Sequence, residues 1–144
     1  MGQYRFSMEK ILDWRLDQEE EAKSRLAGIQ EKWLQQNSVI EDLIRESIRV
    51  KHAGLKAAQV HDLKNQALYK EMISEKIIQQ KNRLAQIESE VQESQTTLTE
   101  VHKNKKAMEK LKEKEYFVTV EQEKKAEQNE LDEIATLSYG RAPY

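Results

Sequence analysis

The sequence predicts an all-α protein: two long helices forming an antiparallel coiled-coil hairpin, with the second helix longer than the first and overhanging it. Three observations carry this expectation. Apart from Pro143, the 144 residues contain no proline, so nothing along the chain forces a helix to break. A seven-residue apolar repeat runs through most of the length, and it is lost convincingly only once, around Gly54. Charged residues make up 35% of the chain and aromatics only 6%, a balance that suits a coiled coil better than a compact two-layer domain. The regular placement of Leu, Ile and Val argues against disorder, the competing reading for so polar a chain.

The first helix is expected over about 8–52. Ser7 is a suitable N-cap, with Glu9 in the first turn where the helix dipole favours an acid. Phe6 and Ile11 are placed to form a hydrophobic staple, although Lys10 stands where a capping box would need Glu or Gln. A 4-3 spacing then runs through Met8, Leu12, Arg15, Glu19, Ala22, Leu26, Ile29, Trp33, Gln36, Ile40, Leu43, Ser47 and Val50. Nine of these thirteen positions are apolar, which is the signature of a left-handed coiled-coil seam. The polar entries at Arg15, Glu19 and Gln36 weaken the seam locally and are candidates for fixing its register.

Around His52–Gln59 both the charge density and the period disappear, and Gly54 suits a left-handed helix-ending position. The turn is therefore expected within about 53–60. The alternative is one continuous helix, because a single glycine costs a helix only about 1 kcal/mol. Such a helix would need a partner chain to cover its whole seam.

The second helix is expected over about 61–138, making 1–144 a single coiled-coil domain. Its stripe reads Ile73, Ile77, Gln80, Leu84, Ile87, Val91, Ser94, Leu98, Val101, Lys105 and Met108, eight of eleven apolar. Past Met108 the apolar residues change phase, at Leu111 and then Tyr116–Val120, as an inserted stutter would produce. That run is β-branched and aromatic, in conflict with its helical surroundings, and reads equally as a partner contact or as the stutter.

At 1.5 Å per residue the helices measure roughly 65 Å and 115 Å. A turn near residue 56 would set Met8 opposite a residue near 104. Everything after about residue 110 would then project, still carrying Phe117, Val118, Val120, Leu131, Ile134 and Leu137, and an apolar stripe of that kind calls for a cover.

Several chemistries find no support. The four glycines stand far apart, so there is no phosphate-binding loop. His52, His61 and His102 make no metal-ligand pair at helical spacing. Carboxylates such as Glu19–Glu20–Glu21 abound, but a narrow two-helix seam offers no pocket to perturb them. The expectation is no enzyme and no cofactor. The formal net charge of -2 gives no global reason to expect nucleic acid. The densest basic stretch, Lys103 to Lys114, interleaves with Glu109 and Glu113 as on a solvated helix surface. No apolar run approaches the roughly 20 residues that span a bilayer, and Met1–Lys10 lacks the core of a secretory signal. With no cysteine present, a cytoplasmic location is expected. Trp33 falls on the seam and Trp14 off it.

The two ends of the chain carry a resemblance. Tyr4-Arg5-Phe6-Ser7-Met8-Glu9-Lys10-Ile11-Leu12-Asp13-Trp14-Arg15, followed by Glu19-Glu20-Glu21-Ala22, resembles the opening of the FliJ family of flagellar type III export proteins. Glu130-Leu131-Asp132-Glu133-Ile134-Ala135 resembles that family's C-terminal signature. The resemblance implies a non-enzymatic, stalk-like antiparallel coiled coil, peripheral to the membrane on its cytoplasmic side at the flagellar base. It would bind and stimulate the flagellar export ATPase ring and link it to the export gate membrane protein and to export chaperones. It would neither insert into the membrane nor bind nucleic acid, and would be a monomer when isolated. By position, the gate contact would fall at the hairpin tip around Leu43, Val50, Tyr69 and Ile73, in a stretch where Glu46 and Lys76 depart from the family pattern. The ATPase ring would cover the overhang at Phe117, Val120, Leu131 and Ile134. The runner-up is a structural dimeric coiled coil, a spacer or scaffold in which two chains cover each other's stripes.

Overall fold

A computed structural model of the chain describes residues 4–55 and 60–140. Two helices account for almost all of them: α1, Glu9–Leu55, and α2, Val60–Gly140. No strand occurs among the described residues. The helices pack along their length as a hairpin, as expected. The core of the expected turn, 56–59, lies outside the described residues. Gly54, expected to end its helix in the left-handed conformation, instead lies inside α1, and no described glycine has a positive φ.

Compact packing divides the chain into two units. One joins the segment up to Glu19 with the segment from Val101 onward; the other comprises Glu20–Glu100. Within the second unit the seam is the one the 4-3 spacing picks out. Ala22, Ile40, Val50, Ile73 and Ile87 are buried, together with Gln36 and Ser94, and the seam positions between them are half-buried. The antiparallel direction is explicit in the cross-helix bonds. Trp33 Nε1 donates to Glu88 at 3.2 Å, Gln36 Nε2 to the Gln80 carbonyl at 3.0 Å, and the Tyr69 hydroxyl to Glu46 at 3.1 Å. Rising numbers on α1 thus meet falling numbers on α2.

In the first unit Phe6, Leu12 and Glu19 are buried. The register differs from the expected one. Glu9 pairs with Lys112 at 3.2 Å and Glu19 with Lys105 at 2.8 Å, so α1 meets residues clearly later on α2 than a turn at residue 56 would allow.

The stutter expected after Met108 is also absent. The half-buried positions continue through Met108, Lys112, Glu115 and Thr119, an unbroken 4-3-4 spacing. What changes at this point is the side chains on the seam and not the helix: Lys112, Glu115 and Thr119 occupy it, while Leu111, Phe117 and Val118 turn outward at 41%, 65% and 52% exposure. The β-branched run is helical throughout. Thr119 satisfies its hydroxyl on the Glu115 carbonyl one turn back, at 2.8 Å, a bond that lets a threonine sit inside a helix.

Candidate partner-binding surfaces

The N-terminal segment is fastened to α2 by polar contacts. The Ser7 backbone N–H donates to one oxygen of Glu115 at 3.2 Å and its hydroxyl donates to the other at 2.8 Å. The expected N-cap hydroxyl is therefore directed across the helix pair. The Tyr4 hydroxyl donates to the Lys112 carbonyl at 3.3 Å, and the Tyr4 ring meets Tyr116 edge-on, centroids 5.1 Å apart at 73°. Burial pushes the Tyr4 pKa above its ordinary 10.0, and the Glu115 carboxylate pushes the same way. Phe6 is buried behind these contacts, whereas Ile11, its expected staple partner, is 45% exposed. Tyr116 thus has a partner within the chain, which accounts for one aromatic of the anomalous run.

Among the described residues, α2 continues alone beyond this fastening. Every residue from Glu121 to Gly140 is exposed, including Leu131 at 60%, Ile134 at 56% and Leu137 at 60%. Of the four residues expected to face the ATPase ring, Phe117, Leu131 and Ile134 are exposed and Val120 is half-buried. The exposed stretch therefore begins near Glu121, later than the expected residue 110, because the N-terminal segment reaches Lys112 and Glu115.

In the second unit the four tip residues separate. Val50 and Ile73 are buried in the seam and Leu43 is half-buried, while Tyr69 is 43% exposed. Tyr69 belongs to a small polar cluster: Glu46 accepts from its hydroxyl and, at 3.0 Å, from Arg49 Nε. The Arg49 guanidinium holds the Glu46 carboxyl below its ordinary 4.5; burial opposes it, and the Tyr69 hydroxyl adds a smaller lowering effect. The same contact holds the Tyr69 hydroxyl above 10.0. Glu46 is thus what fastens Tyr69 to α1. Ile44, Ile48, Met72 and Ile78 are also exposed, at 40%, 51%, 52% and 61%. The seam period passes over them because they stand off the 4-3 positions. A shallow groove lies where Trp33 and Leu34 of α1 face Val91 of α2, bordered by Gln30, Glu88 and Gln92.

Lysines of the basic stretch pair with carboxylates: Lys105 with Glu19, Lys106 with Glu109 at 3.4 Å, and Lys112 with Glu9. No group of His, Asp and Glu among the described residues could hold a metal ion. No helix of the described residues is long and apolar enough to cross a membrane.

A helical hairpin packed on its own seam, with exposed apolar residues along a helix that outruns its partner, defines a protein of the coiled-coil class. The chain belongs to the family of flagellar FliJ proteins, whose model matches residues 4–143. No curated protein and no solved structure matches the chain. Membership makes it a non-enzymatic component of flagellar protein export.

Proposed function

We propose that the chain is the stalk-like coiled coil of the flagellar export apparatus, which binds the export ATPase ring, stimulates it, and links it to the export gate and to export chaperones. The observation that carries this reading is the lone stretch of α2 from Glu121 to Gly140, whose Leu131 and Ile134 are more than half exposed. Apolar side chains held on a lone helix in water are a standing cost that a partner removes. Phe117, Val120, Leu131 and Ile134 are assigned to the ATPase ring. Leu43, Val50, Tyr69 and Ile73 mark the tip region assigned to the gate, with Tyr69 the most exposed of them. The protein then acts peripherally, on the cytoplasmic side of the membrane at the flagellar base, and is a monomer when isolated.

The test is titration into the export ATPase while phosphate release is followed. Saturable stimulation is expected, and it should vanish on removing residues 121–144. That cut preserves Lys112, Glu115 and Tyr116, on which the N-terminal segment is fastened. A cut after Leu111 would remove those anchors too, so loss of stimulation there would not distinguish an absent contact from a loosened hairpin. Full stimulation by the chain lacking 121–144 would overturn the assignment of the working end.

A further inference from the structure

We infer that the tip of the hairpin, residues 51–54 and 60–72, opens on its own by local unfolding while the rest of Glu20–Glu100 stays closed, and that Val50 and Ile73 are the clasp at which the opening stops. This concerns the isolated chain and stands apart from the stalk reading above.

The seam changes character at the clasp. Ile73 and Val50 are 3% and 5% exposed, and from Lys51 to Met72 no described side chain is buried. The seam spacing continues toward the tip through Gly54, Gln66 and Lys70, all half-buried, but none of them brings an apolar side chain. Gly54 has no side chain to pack. A Cβ added there would stand 2.9 Å from Gln66 Oε1 and 3.6 Å from Lys70 Nζ, so two polar side chains fill the room that the glycine leaves. The large apolar residues of this stretch, Val60, Leu63, Leu68 and Met72, are 72%, 46%, 63% and 52% exposed.

Opening the tip therefore uncovers little apolar surface that water does not already reach, which removes the main force against it. It also relieves a cost. Gln66 Oε1 is buried without a hydrogen-bond partner, and water would supply one. The Tyr69 hydroxyl does bond Glu46 across the pair, but in solvent, where exchange of that bond for water changes the balance little. Short helical stretches released from packing are marginal in water, so separation and melting go together. Below the clasp the balance reverses. Ala22, Ile40 and Ile87 are buried and Gln36 is satisfied by the Gln80 carbonyl, so opening there would wet apolar surface and orphan an amide. Local openings select the part of a fold with the fewest buried apolar side chains.

The test is native-state hydrogen exchange of the full chain, read amide by amide under conditions where exchange reports opening equilibria. The first four N–H groups of a helix have no helical partner in any case, so the comparison begins at Lys64. Protection over Lys64–Lys70 should be at least about a hundredfold lower than over Lys81–Glu93. Fast exchange confined to the first turn of α2 would overturn the opening. Ile87→Ala should speed exchange over Lys81–Glu93 at least about thirtyfold and leave Lys64–Lys70 within about twofold, because Ile87 stays packed when only the tip opens. Equal acceleration of both stretches would show one cooperative unit and overturn the inference. Gln66→Leu/Lys70→Leu, which carries the apolar seam past the clasp, should slow exchange over Lys64–Lys70 at least about tenfold. The unaltered chain and Ile87→Ala decide the matter even if that leucine pair makes the chain associate. Ile73→Ala should let fast exchange spread from the tip toward Gln80, and an unmoved boundary would overturn the clasp.

Discussion

Glu19 and Lys105, both on seam positions that the apolar repeat would fill with an aliphatic side chain, meet each other across the helix pair at 2.8 Å. The Glu19 side chain is 5% exposed and that of Lys105 15%, and His102 Nδ1 approaches the other Glu19 oxygen at 3.4 Å. Gln36 and Gln80 repeat the arrangement in the other unit. Each of these polar interruptions on one helix thus has a polar counterpart on the other. A charge taken out of water is tolerated only where its partner arrives with it.

Removing one member of the ion pair should therefore cost more than removing both. Lys105→Met is expected to destabilise the protein by about 2–4 kcal/mol, because Glu19 would stay buried with less compensation. The double variant Glu19→Leu/Lys105→Met should recover most of that loss. Urea denaturation followed by circular dichroism measures both. A single variant as stable as the unaltered chain would show that the pair contributes nothing to the seam.

The glutamine pair should act on register more than on stability. A slip of one heptad would set Gln36 against Ile73 or Ile87 in place of Gln80, leaving a buried amide without its partner. Gln36→Leu/Gln80→Leu should be at least as stable as the parent but tolerant of slippage. The chain contains no cysteine, so cross-linking is a clean readout. Cysteines in Ile40→Cys/Ile77→Cys should form a disulfide in either background. The out-of-register pair Ile40→Cys/Leu84→Cys should cross-link only when the glutamines are gone, and equal cross-linking in both would remove the register role.

Gly28 offers a gain in stability. It lies within α1, and a Cβ added there meets nothing within 4 Å. Gly28→Ala should stabilise the protein by about 0.5–1 kcal/mol, the helix-propensity difference, seen as a higher urea midpoint with an unchanged slope. Gly54→Ala should gain less, because its Cβ would come within 2.9 Å of Gln66 Oε1. That atom ends a flexible side chain and can shift, so tolerance is expected. A loss at Gly28 would indicate a contact on that face.

The Glu46 cluster should leave a pH signature of definite sign. The folded carboxyl titrates below its ordinary 4.5, so its contribution is present above about pH 4.5 and is lost as pH falls through the folded value. Tyr69 titrates above 10.0 when folded. Its contribution is present below about pH 10 and is lost as pH rises through the folded value. Both groups are solvated, so the effects are small and best read by NMR titration of the two side chains. Glu46→Gln should return Tyr69 toward its ordinary value, and an unmoved Tyr69 would show that Glu46 is not the cause.

Much of the protein was determined by its sequence alone, because a two-helix seam is a nearly one-dimensional problem. Proline's absence and the seven-residue period specify where helices run and which side of each is buried. The burial of Leu12, Ile40, Val50, Ile73 and Ile87 is accordingly legible in the repeat itself, and the resemblance at the two ends named the family. Burial periodicity says nothing, however, about how far one helix slides along the other, since every heptad offers an equivalent apolar match. That choice is tertiary. It is made where Glu19 finds Lys105, Gln36 finds Gln80 and Ser7 finds Glu115, pairs separated by 86, 44 and 108 residues in the chain. The same pairs decide that the lone stretch begins near Glu121 and that Lys112 and Glu115 belong to the seam while Phe117 faces outward. A carboxylate or a lysine carries no mark of its partner in a linear pattern, because the energy of pairing depends on a distance that exists only once both helices are in place.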